Sequence, residues 1–120
     1  MANFCVLDCE TCPTVNHKDN KAHPETSLVY DFGYTIRDND NNAIRERSFV
    51  VTDTFYQIDL MKSAYYADKI PTYLEGIKTG EWVESSFNEV WRTFKADCKE
   101  CNVKSAWAYN CRFDEIALNN

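Results

Sequence analysis

Glycine and proline are scarce, at three of each in 120 residues, against roughly 12% combined in an average chain. That scarcity disfavours collagen-like, low-complexity and turn-dense repeat architectures. Net positive charge is also lacking: 13 Lys and Arg stand against 19 Asp and Glu, a balance of −6. A broad basic surface for nucleic acid is therefore excluded, and any contact with a polyanion has to run through metal ions or a local basic groove. No apolar run approaches the ~20 residues of a membrane helix. The opening MANFCVLDCE meets an acid at Asp8 before any signal-like apolar region forms. Six cysteines in 120 residues fall below the roughly 8–10% of a disulfide scaffold. These absences predict an intracellular, cytoplasmic protein with reduced thiols and no membrane association. What is present, 44% hydrophobic and 14% aromatic residues, is a globular composition, and residues 1–120 are the size of one domain.

Phe4-Cys5-Val6-Leu7-Asp8 is a nearly continuous apolar run, the pattern of a strand buried on both faces. The polar stretch 11–27 holds two of the three prolines and reads as a loop. From Leu28 to Arg37 apolar residues alternate with others, placing Leu28, Tyr30, Phe32, Tyr34 and Ile36 on one side. DNDNN at 38–42 is a turn of residues that tolerate positive φ, and Ala43 to Val51 returns as the second arm of an antiparallel hairpin. Leu60, Met61, Ala64 and Tyr65 lie at helical spacing, and Pro71 to Gly80 predicts a short helix ended by its glycine. Ser86-x-x-Glu89 is a capping box, after which Phe87, Val90, Trp91, Phe94, Cys98 and Cys101 keep one helical face. Val103 to Tyr109 is a further strand, and Phe113, Ile116 and Ala117 open a helix that the sequence leaves unfinished. The order predicts an α/β domain with a mixed sheet, an antiparallel hairpin beside a buried strand and a helical crossover to a parallel strand.

Asp8 and Glu10 are two residues apart on a strand, so they share a face at a spacing of about 6.5–7 Å. Ionised neighbours at the end of a buried strand repel one another and lose hydration, a cost that a hard divalent cation such as Mg²⁺ or Mn²⁺ offsets. Taken alone, the pair is better explained as two solvated carboxylates at a strand exit. Asp114 adds a third acid in the first turn of a helix. Alone it would only compensate the helix dipole, but it follows a strand that could run beside the first. Ligands in α/β sheets collect at such strand ends. Three carboxylates there could hold two metals about 3.5–4 Å apart, as in-line attack on a phosphodiester requires.

FCVLDCETCP resembles the first motif, D-x-E-T, of the DEDD 3′–5′ exonucleases, the proofreading exonuclease family with a ribonuclease H-like fold. AYNCRFDEIALNN resembles that family's second motif, N-x-x-F-D, and the flanking elements arrive in the family's order. The wording of the second motif and the SAYYADKIPTY segment look most like phage-encoded members, which would act in the host cytoplasm. The resemblance implies metal-dependent hydrolysis of DNA or RNA from the 3′ end by a two-metal mechanism. Asp8 would bridge both Mg²⁺ or Mn²⁺ ions, Glu10 would bind the ion that activates water, and Asp114 would hold the second ion. Thr11 would line the site for the terminal nucleotide, while Asn110 and Phe113 would shape the substrate-facing wall. The implied partners are a nucleic-acid 3′ end and a DNA polymerase or replication complex. Family members carry a third motif, His-x4-Asp or Tyr-x3-Asp, supplying a general base and a fourth acid. This sequence ends six residues after Asp114; Tyr65-x2-Asp68 has the wrong spacing, and His17 and His23 lie in the early loop. The expectation is a ribonuclease H-like domain truncated at its C-terminal end, the N-terminal piece of a longer enzyme. A catalytically incomplete nucleic-acid- or polymerase-binding module with the same fold is the alternative.

Cys9-x2-Cys12-x4-His17-x5-His23 has zinc-like spacing, but Cys9 falls opposite Asp8 and Glu10, on the side used by Cys5 and Leu7 for burial. Cys98-x2-Cys101 continues the apolar helix stripe at a helix end, where a redox CxxC would sit at a helix start. Cys111 lacks a nearby base. Trp91 and Trp107 read as core, while Tyr65, Tyr66 and Tyr73 are split between ordinary packing and flanking a nucleic-acid strand.

Overall fold

The computed structural model describes residues 2–14, 24–64 and 67–108. They form an α/β fold with a five-stranded mixed sheet flanked by helices. The strands are β1 (Asn3–Pro13), β2 (Ser27–Arg37), β3 (Ala43–Val51), β4 (Val83–Ser85) and β5 (Val103–Ala108), in the order β4-β3-β2-β1-β5. β1 pairs antiparallel with β2 and parallel with β5; β3 pairs antiparallel with β2 and parallel with β4. The hairpin β2–β3 turns as its sequence predicts. Asp38 Oδ1 accepts hydrogen bonds from the Asp40 and Asn42 amides, each 2.9 Å, and Asn41 takes φ 66°.

Four α-helices, α1 (Thr52–Phe55), α2 (Ile58–Met61), α3 (Ile70–Thr79) and α4 (Phe87–Glu100), and two single-turn 3-10 helices, Pro24–Thr26 and Ala67–Lys69, complete the described elements. α4 starts where the capping box predicts. Ser86 Oγ accepts from the Glu89 amide at 3.2 Å, and Asp53 Oδ1 accepts from the Phe87 amide at 3.3 Å, so two of its otherwise unpartnered amides are satisfied. α3 has proline in its first turn and ends on Gly80 at φ 88°, a left-handed conformation that glycine adopts without a Cβ penalty.

The two sheet faces carry separate cores. On one, Cys5, Leu7, Cys9, Phe32, Tyr34, Ile36, Phe49 and Val51 pack under Val90, Trp91 and Phe94 of α4. On the other, Cys12, Tyr30, Val50, Phe55, Met61, Ala64 and Tyr73 gather beneath α1–α3. β1 runs five residues beyond Asp8, into what reads in sequence as loop. As far as Cys9 it is buried on one face only: Cys5, Leu7 and Cys9 point in, while Val6 and Asp8 are exposed; further along, Cys12 is buried on the other face. Trp107, read as core from its apolar pattern, is 63% exposed. It pairs with Val6, and cross-strand partners share a face, here the one that α4 leaves uncovered. β4 has no sequence signal, since three residues are too few for a period.

Trp82 lies over α3. Its amide donates to the Gly76 carbonyl at 3.2 Å, and a Cβ at Gly76 would overlap its Cε3 and fall 2.6 Å from its Cζ3. Alanine favours helix by about 1 kcal/mol, but overpacking costs ~1–3 kcal/mol. Gly76→Ala is therefore expected to destabilise, with a melting temperature lower by about 5 °C. A thermal melt showing an unchanged or higher value would mean that Trp82 does not pack there.

Candidate active site on the central strand

β1 is a central strand, and its pleat sends Asp8 and Glu10 to one face and Cys9 to the other, where it is buried with Cys5 and Leu7. The acid pair is thus presented together, as its spacing predicts. Thr11 takes the opposite face by the same alternation, in register with Val29. Asn110, Phe113 and Asp114 lie outside the described residues, as do Cys111, His17, His23, Tyr65 and Tyr66.

A third carboxylate stands at the pair. Asp31 of β2 is the direct cross-strand partner of Glu10, which places Cβ atoms about 4.5–5.5 Å apart. Its proximity to Asp8 is also felt in its titration. Opposed like charges weaken a sheet, so the arrangement carries a cost with no return in stability. The register explains the neighbouring side chains. Glu10 faces Asp31 and Thr11 faces Val29, leaving Tyr30 unmatched as a β-bulge. The bulge breaks the alternation read from sequence: Val29 joins the core under α4, and Tyr30 turns to the acid face with Asp31.

Tyr73 of α3 reaches down to this cluster. Its hydroxyl donates to Asp31 Oδ2 at 2.7 Å, and its ring meets Tyr30 edge-on, with centroids 5.7 Å apart. Tyr73 is therefore a core residue, 5% exposed and in ring contact also with Phe55, edge-on, and Trp82, tilted, which decides between the two roles its sequence left open. Tyr30 is fully buried, and its hydroxyl has no hydrogen-bond partner among the described residues. The nearby Tyr73 hydroxyl is directed at Asp31 instead. Burial pushes the Tyr30 hydroxyl up from its ordinary value, the charges of Glu10 and Asp31 add to the shift, and the neighbouring Tyr73 hydroxyl opposes it. Burial likewise pushes the Tyr73 hydroxyl up, with Asp31 adding.

Burial also raises the Asp31 carboxyl from 3.8 to about 6; the Tyr73 hydrogen bond opposes the shift and the Asp8 charge reinforces it. A carboxyl whose folded pKa exceeds its unfolded one contributes stability below the unfolded value and loses it as pH rises through the folded value. The window here runs from about 4 to about 6. In metal-free buffer Asp31→Asn, whose carboxamide oxygen can still accept from Tyr73, is expected to match the parent protein at pH 4. At pH 7.5 it should be more stable by about 1–2 kcal/mol. Urea unfolding at the two pH values tests this; equal stability at both would show that Asp31 ionises without cost.

Hard carboxylate oxygens and a buried, unpartnered hydroxyl suit a hydrated divalent cation. Among the described residues no three Asp, Glu, His or Cys side chains are placed to hold one ion. Mg²⁺ commonly takes one or two carboxylates and keeps several waters, so Asp8 and Glu10 fit such an ion as its protein ligands. Sequence reading missed Asp31 and Tyr30 because register and bulge, not spacing, bring them to the pair. The one available signal was an acid within an otherwise apolar alternation. The five described cysteines form no disulfide with one another, and no described helix is long and apolar enough to cross a membrane. Set against known proteins, the chain matches no protein-family model, no curated protein and no solved structure, so the site is read from its own residues.

Proposed function

We propose that the chain carries the acidic centre of a metal-dependent 3′–5′ exonuclease acting on DNA or RNA, in a ribonuclease H-like domain. The observation that carries this reading is the register of β5 on β1. Leu7 pairs with Ala108 in parallel, so the last described residue of β5 lies beside the strand position before Asp8, six residues ahead of Asp114 in sequence. The second motif of the resemblance begins two residues further on in sequence, at Asn110. A central first strand, antiparallel to one neighbour and parallel to the other, also accords with a ribonuclease H-like sheet.

Asp8 and Glu10 would hold Mg²⁺ or Mn²⁺, with Asp114 as a further ligand. Bound cations would neutralise phosphate charge and supply an activated water, which is how a protein of net charge −6 could accept a polyanion. The chain's own contribution is orientation. β1 fixes the acid pair on one face, and Tyr73 holds Asp31 against Glu10. Asn110 and Phe113 are the proposed contacts for the terminal nucleotide, without the Thr11 side chain, which takes the opposite face of β1; a 3′ end, with a polymerase or replication complex, is the proposed partner. The test is digestion of 5′-labelled single-stranded DNA and RNA with Mg²⁺ or Mn²⁺. A ladder shortening from the 3′ end with release of nucleoside 5′-monophosphates is expected. Well-folded protein that releases none, but retains labelled 3′ ends, would make the chain a binding module instead.

A further inference from the structure

Three features converge on the floor of the acid face. Asp31 is set directly opposite Glu10, a pairing that sheets avoid. Tyr73 commits its hydroxyl to holding Asp31 there at 2.7 Å. The bulge turns Tyr30 to the face of Glu10 and Asp31, where its fully buried hydroxyl makes no hydrogen bond of proper geometry with the described residues, the neighbouring Tyr73 hydroxyl being directed at Asp31. A buried polar atom with no partner is costly and uncommon, and it points to a polar occupant between the groups. No three described side chains are placed to ligate one ion directly, so the occupant is better held through its waters.

We infer that Asp31 and Tyr30 form the outer half of a hydrated divalent-cation site whose inner half is Asp8 and Glu10, with Tyr73 as the positioning residue for Asp31. This rests on the metal-bearing reading of the acid pair. Asp31 Oδ2 is taken by Tyr73, which leaves Oδ1 to accept from a metal-bound water. Tyr30 Oη can donate to or accept from a second such water. Outer partners of this kind typically change metal affinity 10–100-fold, and Mg²⁺ and Mn²⁺ suit them because they retain water when bound.

The experiment is titration of the 120-residue chain with Mn²⁺, following the electron-spin-resonance signal of the free ion. The parent is compared with Asp8→Ala, Asp31→Asn, Tyr30→Phe and Tyr73→Phe. Asp8→Ala is expected to remove saturable binding. Asp31→Asn should weaken it by roughly 10–100-fold, and Tyr30→Phe and Tyr73→Phe by several-fold. Circular dichroism checks that each variant folds. Should Asp31→Asn fail that check, Tyr30→Phe decides, since it removes only a hydroxyl that makes no hydrogen bond of proper geometry with the described residues. Mn²⁺ binding lost in Asp8→Ala yet held within about twofold in Asp31→Asn and Tyr30→Phe overturns the inference and leaves the proposed function standing. Absence of saturable binding in the parent, or equal binding in Asp8→Ala, overturns both.

Discussion

Asp8→Ala is expected to abolish metal-dependent shortening of a labelled oligonucleotide, by roughly 10³-fold or more, equivalent to about 4 kcal/mol of barrier. The size follows from position. Asp8 is the acid of β1 nearest the last described residue of β5 and lies opposite Gly33, with Glu10 further along the same face. The same substitution should leave folding intact, because Asp8 is exposed and surface changes stay within about 0.5 kcal/mol. Removing its charge also relieves Asp31, whose carboxyl it helps to raise. Loss of activity with an unchanged unfolding curve separates a catalytic role from a structural one. Digestion that continues in a purified Asp8→Ala variant would remove β1 from the chemistry and sink the proposed function.

The largest stability effect is expected on the opposite face, at Asp97 of α4. It is 3% exposed yet lies on the packed side of the helix, where three donors meet it. Arg45 Nη1 reaches Oδ1 at 2.6 Å, Arg47 Nε reaches Oδ2 at 2.6 Å, and the Tyr34 hydroxyl donates to Oδ2. Arg45 also pairs with Glu100 at 3.2 Å. Breaking a buried charge network by removing one partner costs ~3–5 kcal/mol. The arginine side chains are 28% and 41% exposed, so water recovers part of that loss and Asp97→Ala should cost about 3 kcal/mol. Asp97→Asn keeps an acceptor and should cost roughly half as much. Burial pushes the Asp97 carboxyl up, but the bonds from Arg47, Tyr34 and Arg45 outweigh it and hold the group below its usual 3.8. A depressed carboxyl contributes stability above its unfolded pKa and loses it as pH falls through the folded value. The parent should therefore lose stability below about pH 4, and Asp97→Asn should lose less over the same range. Urea midpoints at pH 3 and pH 7 read this out, and a variant that falls in parallel with its parent would show that Asp97 does not carry the acid sensitivity.

Sequence alone settled whatever depends on local spacing. The Ser86-x-x-Glu89 box and its apolar stripe became α4 because capping and a 3.6-residue period act within a few turns. The hairpin closed at Asp38–Asn42 because its turn chemistry is local too. Asp8 and Glu10 share a face because a strand has period two. Tertiary structure decided what depends on pairing between distant segments. Asp97 falls on the helical spacing of Val90 and Phe94, yet an acid in an apolar stripe makes sense only once β3 supplies Arg45 and Arg47. Asp31 reaches Glu10 through strand register, and Tyr30 changes face through a single unmatched residue. Trp107 is exposed because α4 covers one sheet face and, among the described residues, no element covers the other at Val6 and Trp107. Register, bulge and face coverage are set by the summed packing of several segments, which no single window of sequence contains.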